Sequence, residues 1–145
     1  MASDAASKVA GPTNEAVWHD NSNFHFANPE LALPAFISYR PNSEGSDRQT
    51  TFMDQRTGKT ASDPYRFWEI RADPKGRKYY VDHHAKATSY MDPLKKAAYD
   101  EKIKTGKIQK GSEVDYEELT TDGNVFFVDA ETGSAGHVYE RPRLA

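Results

Sequence analysis

The chain has 145 residues, a formal net charge of −3 and a pI near 5.9, so no net positive field favours nucleic acid as its partner. It contains no cysteine, which excludes disulfide bonds and thiol chemistry. Two Trp, eight Tyr and seven Phe residues stand beside few Leu and Ile, a composition typical of thin sheets held together by aromatic rings rather than of one thick core.

Residues 1–13 are small and polar and contain Gly11-Pro12, so we predict a disordered tail. The first ten residues lack the apolar stretch of a secretory signal. No apolar run in the sequence approaches the length of a membrane span. We therefore expect an intracellular protein, with the cytoplasm favoured and an organelle or the nucleus left open.

An aromatic-rich strand pattern that ends in Asp or Asn recurs four times, ending at Asn28, Asp54, Asp82 and Asp129. After Asp54 and Asp129, Thr follows at the third position and Gly at the fourth. This sequence is typical of a turn in which Asp and Thr cap the backbone and Gly takes a positive φ. The pattern predicts four small repeats, at residues 14–41, 42–65, 66–93 and 113–145, of which the first three abut without flexible linkers.

The first two repeats are degenerate copies of the pattern. In the first, Trp18 opens the repeat and Phe36 follows Asn28 by eight residues. Pro29 and Pro34 would confine its third strand to a sheet edge. The second repeat has no Trp, and Ser62 stands at the position of the second aromatic residue. We therefore do not expect the second repeat to bind a peptide.

The third repeat, residues 66–93, carries the strongest strand signals and predicts a three-stranded antiparallel meander. The second strand, Lys78–Asp82, is rich in aromatic and β-branched residues, and turn sequences flank it on both sides. A period of two places Tyr79, Val81 and His83 on one face of the sheet and Tyr80 on the other.

These residues resemble a WW domain. The resemblance lies in an early Trp in a Trp-Glu-x-Arg context, a Gly-Arg turn, a Tyr-Tyr-x-Asp-His strand, a Thr in the third strand and a closing Pro. Two positions depart from the family pattern, because Ala85 replaces a usual Thr and Tyr90 replaces the second Trp. The matching positions are Trp68, Glu69, Arg71, Gly76, Arg77, Tyr79, Tyr80, Asp82, His83, Thr88 and Pro93.

The resemblance implies a structural face and a binding face. The structural face would be a hydrophobic buckle, and the binding face a groove that accepts proline-rich segments already extended as polyproline II. A groove with His at this place prefers a Pro-Pro-x-Tyr ligand, with the His and the apolar residue of the strand holding the Tyr. An alternative is that the same residues only pack a small sheet against a neighbouring repeat. The implied buckle is Trp68, Tyr80 and Pro93, and the implied groove is Tyr79, Val81, His83, Thr88 and Tyr90.

Residues 94–112 change to a helical pattern with a partial apolar stripe, and Gly106 is the expected stop. Six Lys residues between Lys95 and Lys110 make this the basic patch of the chain. We interpret it as a solvated connecting helix. Contact with an acidic partner or an RNA backbone is a weaker alternative, because the segment lacks the interleaved aromatic residues that base stacking requires.

The fourth repeat, residues 113–145, has Tyr116 near the position of the first Trp and repeats the double aromatic as Phe126-Phe127. Ala130 stands where the groove His is expected, and His137 takes the place of the second Trp. The sequence therefore predicts the fold of the repeat here but not proline binding.

No catalytic motif, phosphate-binding loop or metal-ligand spacing is present in the sequence, so we expect neither catalysis nor a cofactor nor a metal site. The predicted fold class is mainly β, with tandem small three-stranded antiparallel WW-like meanders and one connecting α-helix. The predicted function is a protein–protein interaction module that binds a proline-rich segment through the third repeat, within a larger assembly. The alternative is a purely structural subunit of a multiprotein complex with no peptide-reading groove.

Overall fold

The computed structural model describes residues 17–41, 50–112 and 114–140, so the predicted tail at residues 1–13 lies outside it. The described chain is mainly β, with three small antiparallel sheets of three, three and two strands and one α-helix. The predicted mainly-β fold with one helix is therefore confirmed. The strands are β1 (Ile37–Pro41), β2 (Thr50–Asp54), β3 (Thr60–Ala61), β4 (Glu69–Ala72), β5 (Lys78–Asp82), β6 (Ala87–Ser89), β7 (Asp115–Leu119) and β8 (Val125–Asp129).

The first sheet combines residues from the first two predicted repeats. Strand β1 lies in the range predicted for the first repeat but pairs with β2, with Ile37 opposite Asp54, and β2 pairs in turn with β3. His19 extends the edge of this sheet through two backbone hydrogen bonds to Tyr39, at 2.8 and 2.9 Å. Between these segments the chain forms a short 3-10 turn at Asn21–Asn23. Within the described residues, the predicted first repeat thus has no separate sheet.

Three turns that follow an aromatic strand share one design. The Asp54 carboxylate accepts a hydrogen bond from the Arg56 amide at 2.9 Å, and Gly58 follows at φ +80°. The Asp129 turn repeats this arrangement, ending at Gly133 with φ +75°. In the Asp82 turn the equivalent residue is Lys86, which adopts φ +56° without being glycine. The Asp-x-x-Thr-Gly pattern therefore predicts the turn conformation, as expected from its capping chemistry.

The helix α1 (Pro93–Lys104) begins at the residue that closes the third repeat. Asp92 caps the helix by accepting a hydrogen bond from the Leu94 amide at 2.8 Å. Pro93 takes the first helical position, where a backbone N–H would have no acceptor within the helix and where Pro, which has no N–H, is therefore well suited. At the other end, Gly106 has φ +82° and its amide binds the Ile103 carbonyl. The helix thus stops before Gly106 as predicted, and it is shorter than the predicted segment 94–112.

Two hydrophobic cores lie on either side of α1, and the helix contributes to both. Leu94 is fully buried in the core of the first sheet, among Leu33, Ile37 and Phe52. Tyr99 is fully buried in the core of the third sheet, which comprises Met91, Tyr99, Phe126, Val128 and Ala130. Helix α1 therefore connects the first and third sheets as predicted, but it is not fully solvated, because Leu94 and Tyr99 enter two different cores. In the described residues, no helix has the length and apolar character needed to cross a membrane.

Candidate functional site

The candidate groove lies on one face of the second sheet. Register pairs Arg71 with Tyr79 and places Val81 between Glu69 and Thr88, so these five side chains share a face. Thr88 is exposed, whereas Tyr79 and Val81 are half-buried. The face is therefore an aromatic and aliphatic surface flanked by charged residues from β4.

Tyr79 and Tyr90 form the aromatic pair of this face. Their ring centroids are 5.6 Å apart and the ring planes are inclined by 58°. Tyr79 belongs to β5 and Tyr90 directly follows β6. Rings this close contact each other and form one aromatic surface, on which the flat side of a proline ring can pack. The structure thus brings together two of the residues that the WW resemblance assigns to the groove.

Tyr90 is held from four sides. Its hydroxyl donates to Asp73 Oδ2 at 2.9 Å and the Arg77 guanidinium lies 5.2 Å from its ring centroid. Its backbone amide donates to the Gly133 carbonyl at 2.9 Å, and its ring meets that of Phe126 edge to face at 6.5 Å. The fourth repeat therefore fixes the orientation of one wall of the groove.

The charges around Tyr90 are tightly coupled. Burial by itself raises the pKa of Asp73, but hydrogen bonds from the amide and guanidinium of Arg77 and from the Tyr90 hydroxyl outweigh it and lower that pKa to about 2. Burial, together with the Asp73 charge, raises the pKa of Tyr90. Asp73 is consequently ionised and Tyr90 neutral at physiological pH, which keeps the hydroxyl as the donor in this contact.

The opposite end of the groove carries His83. Its Nε2 lies 2.7 Å from Glu69 Oε1, and Arg71 Nε lies 2.8 Å from the other oxygen of the same carboxylate. Hydrogen bonds from Arg71 and then from His83 lower the pKa of Glu69 to about 2. The His83 side chain remains 68% exposed, so its ring is accessible to a ligand lying on Val81.

The other face of the second sheet contains the predicted buckle residues. Trp68, Tyr80 and Pro93 line one cavity of about 510 Å³, together with residues of α1. The Trp68 ring lies 5.9 Å from that of Phe36, which belongs to the range of the first repeat. The three residues therefore border one space together with α1 and the range of the first repeat, and the buckle itself stays a prediction.

Arg56 joins the first and second sheets, and sequence reasoning did not identify it. Its guanidinium binds Asp54 at 2.9 Å and Asp82 at 2.8 Å, and it lies 3.6 Å from the ring centroid of Phe36. Burial raises the pKa of both aspartates, but the hydrogen bonds and charge of Arg56 outweigh it and hold both values below the usual range. The available signal was an Arg two residues after the Asp that ends the strand, but sequence position alone does not reveal that it reaches a second repeat.

The basic patch of α1 is partly neutralised within the chain. Lys95 forms an ion pair with Glu118, and Lys102 lies 3.5 Å from Glu30. Lys96 donates to the Ala130 carbonyl and pairs with Asp100. Half of the six Lys side chains predicted as a positive surface are thus engaged by neighbouring residues, which weakens the interpretation of this segment as a contact for RNA.

The fourth repeat offers no groove of the same kind. Phe126 and Val128, at the positions of Tyr79 and Val81, are fully buried. Ala130, at the position of the groove His, is buried as well. The sheet of this repeat has two strands rather than the predicted three, and the face equivalent to the candidate groove is covered. Within the described ranges, no three His, Asp or Glu side chains are grouped so as to hold a metal ion.

In the described ranges, the fold and the candidate site define a chain of small antiparallel sheets with a partly exposed aromatic face on the second sheet. The chain is similar to E3 ubiquitin-protein ligase Nedd-4 from Drosophila melanogaster, with 30% identity over 142 residues that cover 92% of this chain and 13% of the ligase. It is 32% identical over 119 residues to E3 ubiquitin-protein ligase NEDD4 from Rattus norvegicus, covering 72% of this chain and 13% of that ligase. A probable E3 ubiquitin-protein ligase hulA from Aspergillus fumigatus is 27% identical over 135 residues, covering 80% of this chain and 16% of the ligase.

The chain thus spans about an eighth of the length of the first two curated relatives. No model of a known protein family matches it.

Proposed function

We propose that this protein is a tandem WW-type interaction module that binds a proline-rich segment of the Pro-Pro-x-Tyr kind through the groove of the second sheet. The observation that carries the proposal is the pair of Tyr79 and Tyr90 rings, 5.6 Å apart on the same face as Val81. Similarity to Nedd-4 ligases over nearly the whole chain supports a module of this class.

Binding would proceed by docking of a preformed extended segment. The two prolines would pack on the paired rings of Tyr79 and Tyr90, and the ligand Tyr would lie on Val81 beside His83. A polyproline II segment loses little conformational entropy on binding, because its backbone is already extended before it meets the protein. Anchoring of Tyr90 by the fourth repeat reduces the cost further, since the wall need not be ordered by the ligand.

The proposed activity is non-enzymatic and confined to recognition. The matched ligases are about eight times longer than the aligned region, so the proposal assigns to this chain the role of a recognition segment and not that of ubiquitin transfer. We propose that it works inside the cell, as part of a larger assembly whose partner protein carries the proline-rich motif.

A second candidate is a purely structural subunit, and one observation favours it. The sheets are not independent beads: Arg56 binds aspartates of two sheets, and Leu94 and Tyr99 of α1 enter two different cores. In this role the groove residues would serve only to pack the sheet, and the assembled shape would be the functional feature.

A titration of the full chain with a Pro-Pro-x-Tyr peptide, followed by NMR, separates the two candidates. Recognition predicts chemical-shift changes centred on Tyr79, Val81, His83, Thr88 and Tyr90. Tyr79→Ala should abolish the changes, while Lys78→Ala, on the opposite face of the same strand, should retain them. A well-dispersed spectrum that does not respond to the peptide would reject recognition and leave the structural role.

A further inference from the structure

A second cavity, of about 420 Å³, lies between the first sheet and the His83 end of the groove. It is lined from one side by the β2–β3 turn, including Arg56 and Lys59, and by Arg66 of the 3-10 segment Pro64–Phe67. From the other side it is lined by Glu69 and His83 of the groove itself. The cavity exists because two repeats are apposed, so it has no counterpart in an isolated sheet.

Each carboxylate in this cavity already has a partner within the chain. Asp54 and Asp82 share the guanidinium of Arg56, and only 3% of the Asp54 side chain and 14% of the Asp82 side chain remain exposed. The third carboxylate, Glu69, is held by Arg71 and His83. All three carboxylates that line the cavity therefore form ion pairs within the chain.

Two cations at the mouth of the cavity have no ion-pair partner among the described residues. Lys59 and Arg66 are exposed, and neither forms an ion pair with any residue that the structure describes. Arg66 presents a planar fork of donors that matches a carboxylate, and Lys59 supplies a mobile point charge. The mouth of the cavity is therefore cationic, although its interior contains paired aspartates.

The path of the ligand leads to this mouth. If the prolines lie on the Tyr79 and Tyr90 rings and the ligand Tyr lies on Val81, the peptide runs along β5 toward His83. Residues that follow the ligand Tyr then leave the groove beside His83, which lines both the groove and the cavity. The next two or three ligand residues are within reach of Lys59 and Arg66, since an extended chain advances by about 3.3 Å per residue.

We infer that the cavity between the two repeats is a specificity site for an acidic side chain that follows the tyrosine of the proline-rich ligand. The inference rests on the proposed function, because it uses the same groove and ligand direction. Lys59 and Arg66 bind the ligand carboxylate, while Arg56 offsets one of the two aspartate charges inside the cavity and so reduces their repulsion of it. The tandem arrangement thereby extends recognition beyond the motif that one sheet can read.

The test compares two peptides on the full-length chain, one in which Pro-Pro-x-Tyr is followed by Glu-Glu and one in which it is followed by Gln-Gln. At low salt, wild type should bind the Glu-Glu peptide about fivefold more tightly, the effect of one well-placed exposed ion pair. The preference should vanish in a Lys59→Gln/Arg66→Gln variant and should weaken at high salt.

The matched control is Lys75→Gln/Lys78→Gln, which removes the same charge at the far end of the sheet and should keep the preference. All four substituted side chains are exposed, so dispersed spectra should show that each variant folds. Equal affinity of wild type for the two peptides would overturn this inference and leave the proposed function intact. Failure to bind either peptide would reject both. A preference that survives in Lys59→Gln/Arg66→Gln would also overturn the cavity as its origin.

Discussion

Strands β5 and β8 carry the same pattern of two aromatic residues followed by Val and Asp, yet they bury opposite faces. In β5, Tyr80 is buried at 9% exposure and Tyr79 belongs to the open face. In β8, Phe126 is fully buried, and Phe127, at the position of Tyr80, is 42% exposed. The comparison teaches that alternation decides which side chains share a face, whereas the surrounding chain decides which face meets solvent.

The inversion has an identifiable physical cause. Helix α1 places Tyr99 on the face of β8 that contains Phe126, and Met91 from the chain just before the helix joins the same core. Tyr90 then packs its ring against Phe126 from the other side. The face that corresponds to a groove in the second sheet has thus become the core of the third, and it also supports one wall of the candidate groove.

The largest expected effect on stability comes from alanine substitutions at equivalent positions of β5 and β8. Phe126→Ala should destabilise the protein by about 3–5 kcal/mol, because it opens a cavity in a fully packed core. Phe127→Ala should cost less than about 1 kcal/mol, because the ring is largely exposed. In β5 the order should reverse, with Tyr80→Ala more destabilising than Tyr79→Ala. Urea unfolding followed by fluorescence measures all four.

Equal effects of the two β8 substitutions would contradict this pattern. If Phe127→Ala and Phe126→Ala cost equal free energy of unfolding, the burial of the two sheets would not be inverted in solution. Comparable slopes of the unfolding free energy against urea concentration would show that the variants unfold from similarly compact states.

The next largest effect concerns Arg56, which joins the first and second sheets. Arg56→Met keeps most of the side-chain volume over Phe36 but leaves the carboxylates of Asp54 and Asp82 without their shared cation. We expect a loss of about 2–3 kcal/mol at neutral pH, because Asp54 is almost fully buried. Arg71→Met is the control, since its ion pair with Glu69 is exposed to solvent and its loss should change stability far less than the loss of Arg56.

The Arg56 effect has a defined pH dependence. Both aspartates have pKa values lowered in the folded state, so their contribution is present above the unfolded pKa of about 3.9 and is lost as pH falls through the folded values. The stability difference between wild type and Arg56→Met should therefore shrink below about pH 4. A difference that stays constant to pH 2 would mean that Arg56 acts through packing alone.

The sequence predicts the strands and turns but not the contacts that they make with distant parts of the chain. The period of two correctly separated Tyr79 from Tyr80, and the Asp-x-x-Thr-Gly pattern predicted the turns, because both depend on local backbone geometry. Solvent exposure in β8 and the reach of Arg56 depend on residues distant in sequence. Pairing of β1 with β2 is equally non-local, which is why residues 37–41 were assigned to the first repeat while the structure places them in the sheet of the second.

A third test compares the turns that open the two hairpins. In the turn before β5, the Asp73 carboxylate accepts a hydrogen bond from the Arg77 amide at 2.9 Å. In the equivalent turn before β8, the Thr120 hydroxyl accepts one from the Asn124 amide at the same distance. Because the folded pKa of Asp73 is about 2, its stabilisation is present above about pH 4 and is lost as pH falls toward 2, whereas Thr120 does not titrate.

Amide hydrogen exchange measured between pH 5 and pH 2, corrected for the intrinsic pH dependence, distinguishes these turns. Protection of the Arg77 amide should fall with acidification, and protection of the Asn124 amide should fall much less. Asp73→Asn should remove the difference in pH response. Parallel loss at both amides would show that acid unfolds the two sheets together and that the local cap is not the sensitive element.

The smallest effect lies in the turns that follow the compared strands. Lys86 adopts φ +56°, a conformation that costs a non-glycine residue about 1 kcal/mol, whereas the equivalent position after β8 is Gly133. Lys86→Gly should therefore raise the free energy of unfolding by about 0.5–1 kcal/mol, with part of the gain offset by the greater freedom of glycine in the unfolded chain.

The reciprocal change is Gly58→Lys, at φ +80° in the first sheet with no atom within 4 Å of an added Cβ, so strain alone should lower stability by a similar amount. Thermal unfolding of both variants checks the pair. Opposite shifts of comparable size would mean that backbone strain decides the residue at this turn, while a destabilised Lys86→Gly variant would mean that the Lys86 side chain contributes a contact stronger than the strain.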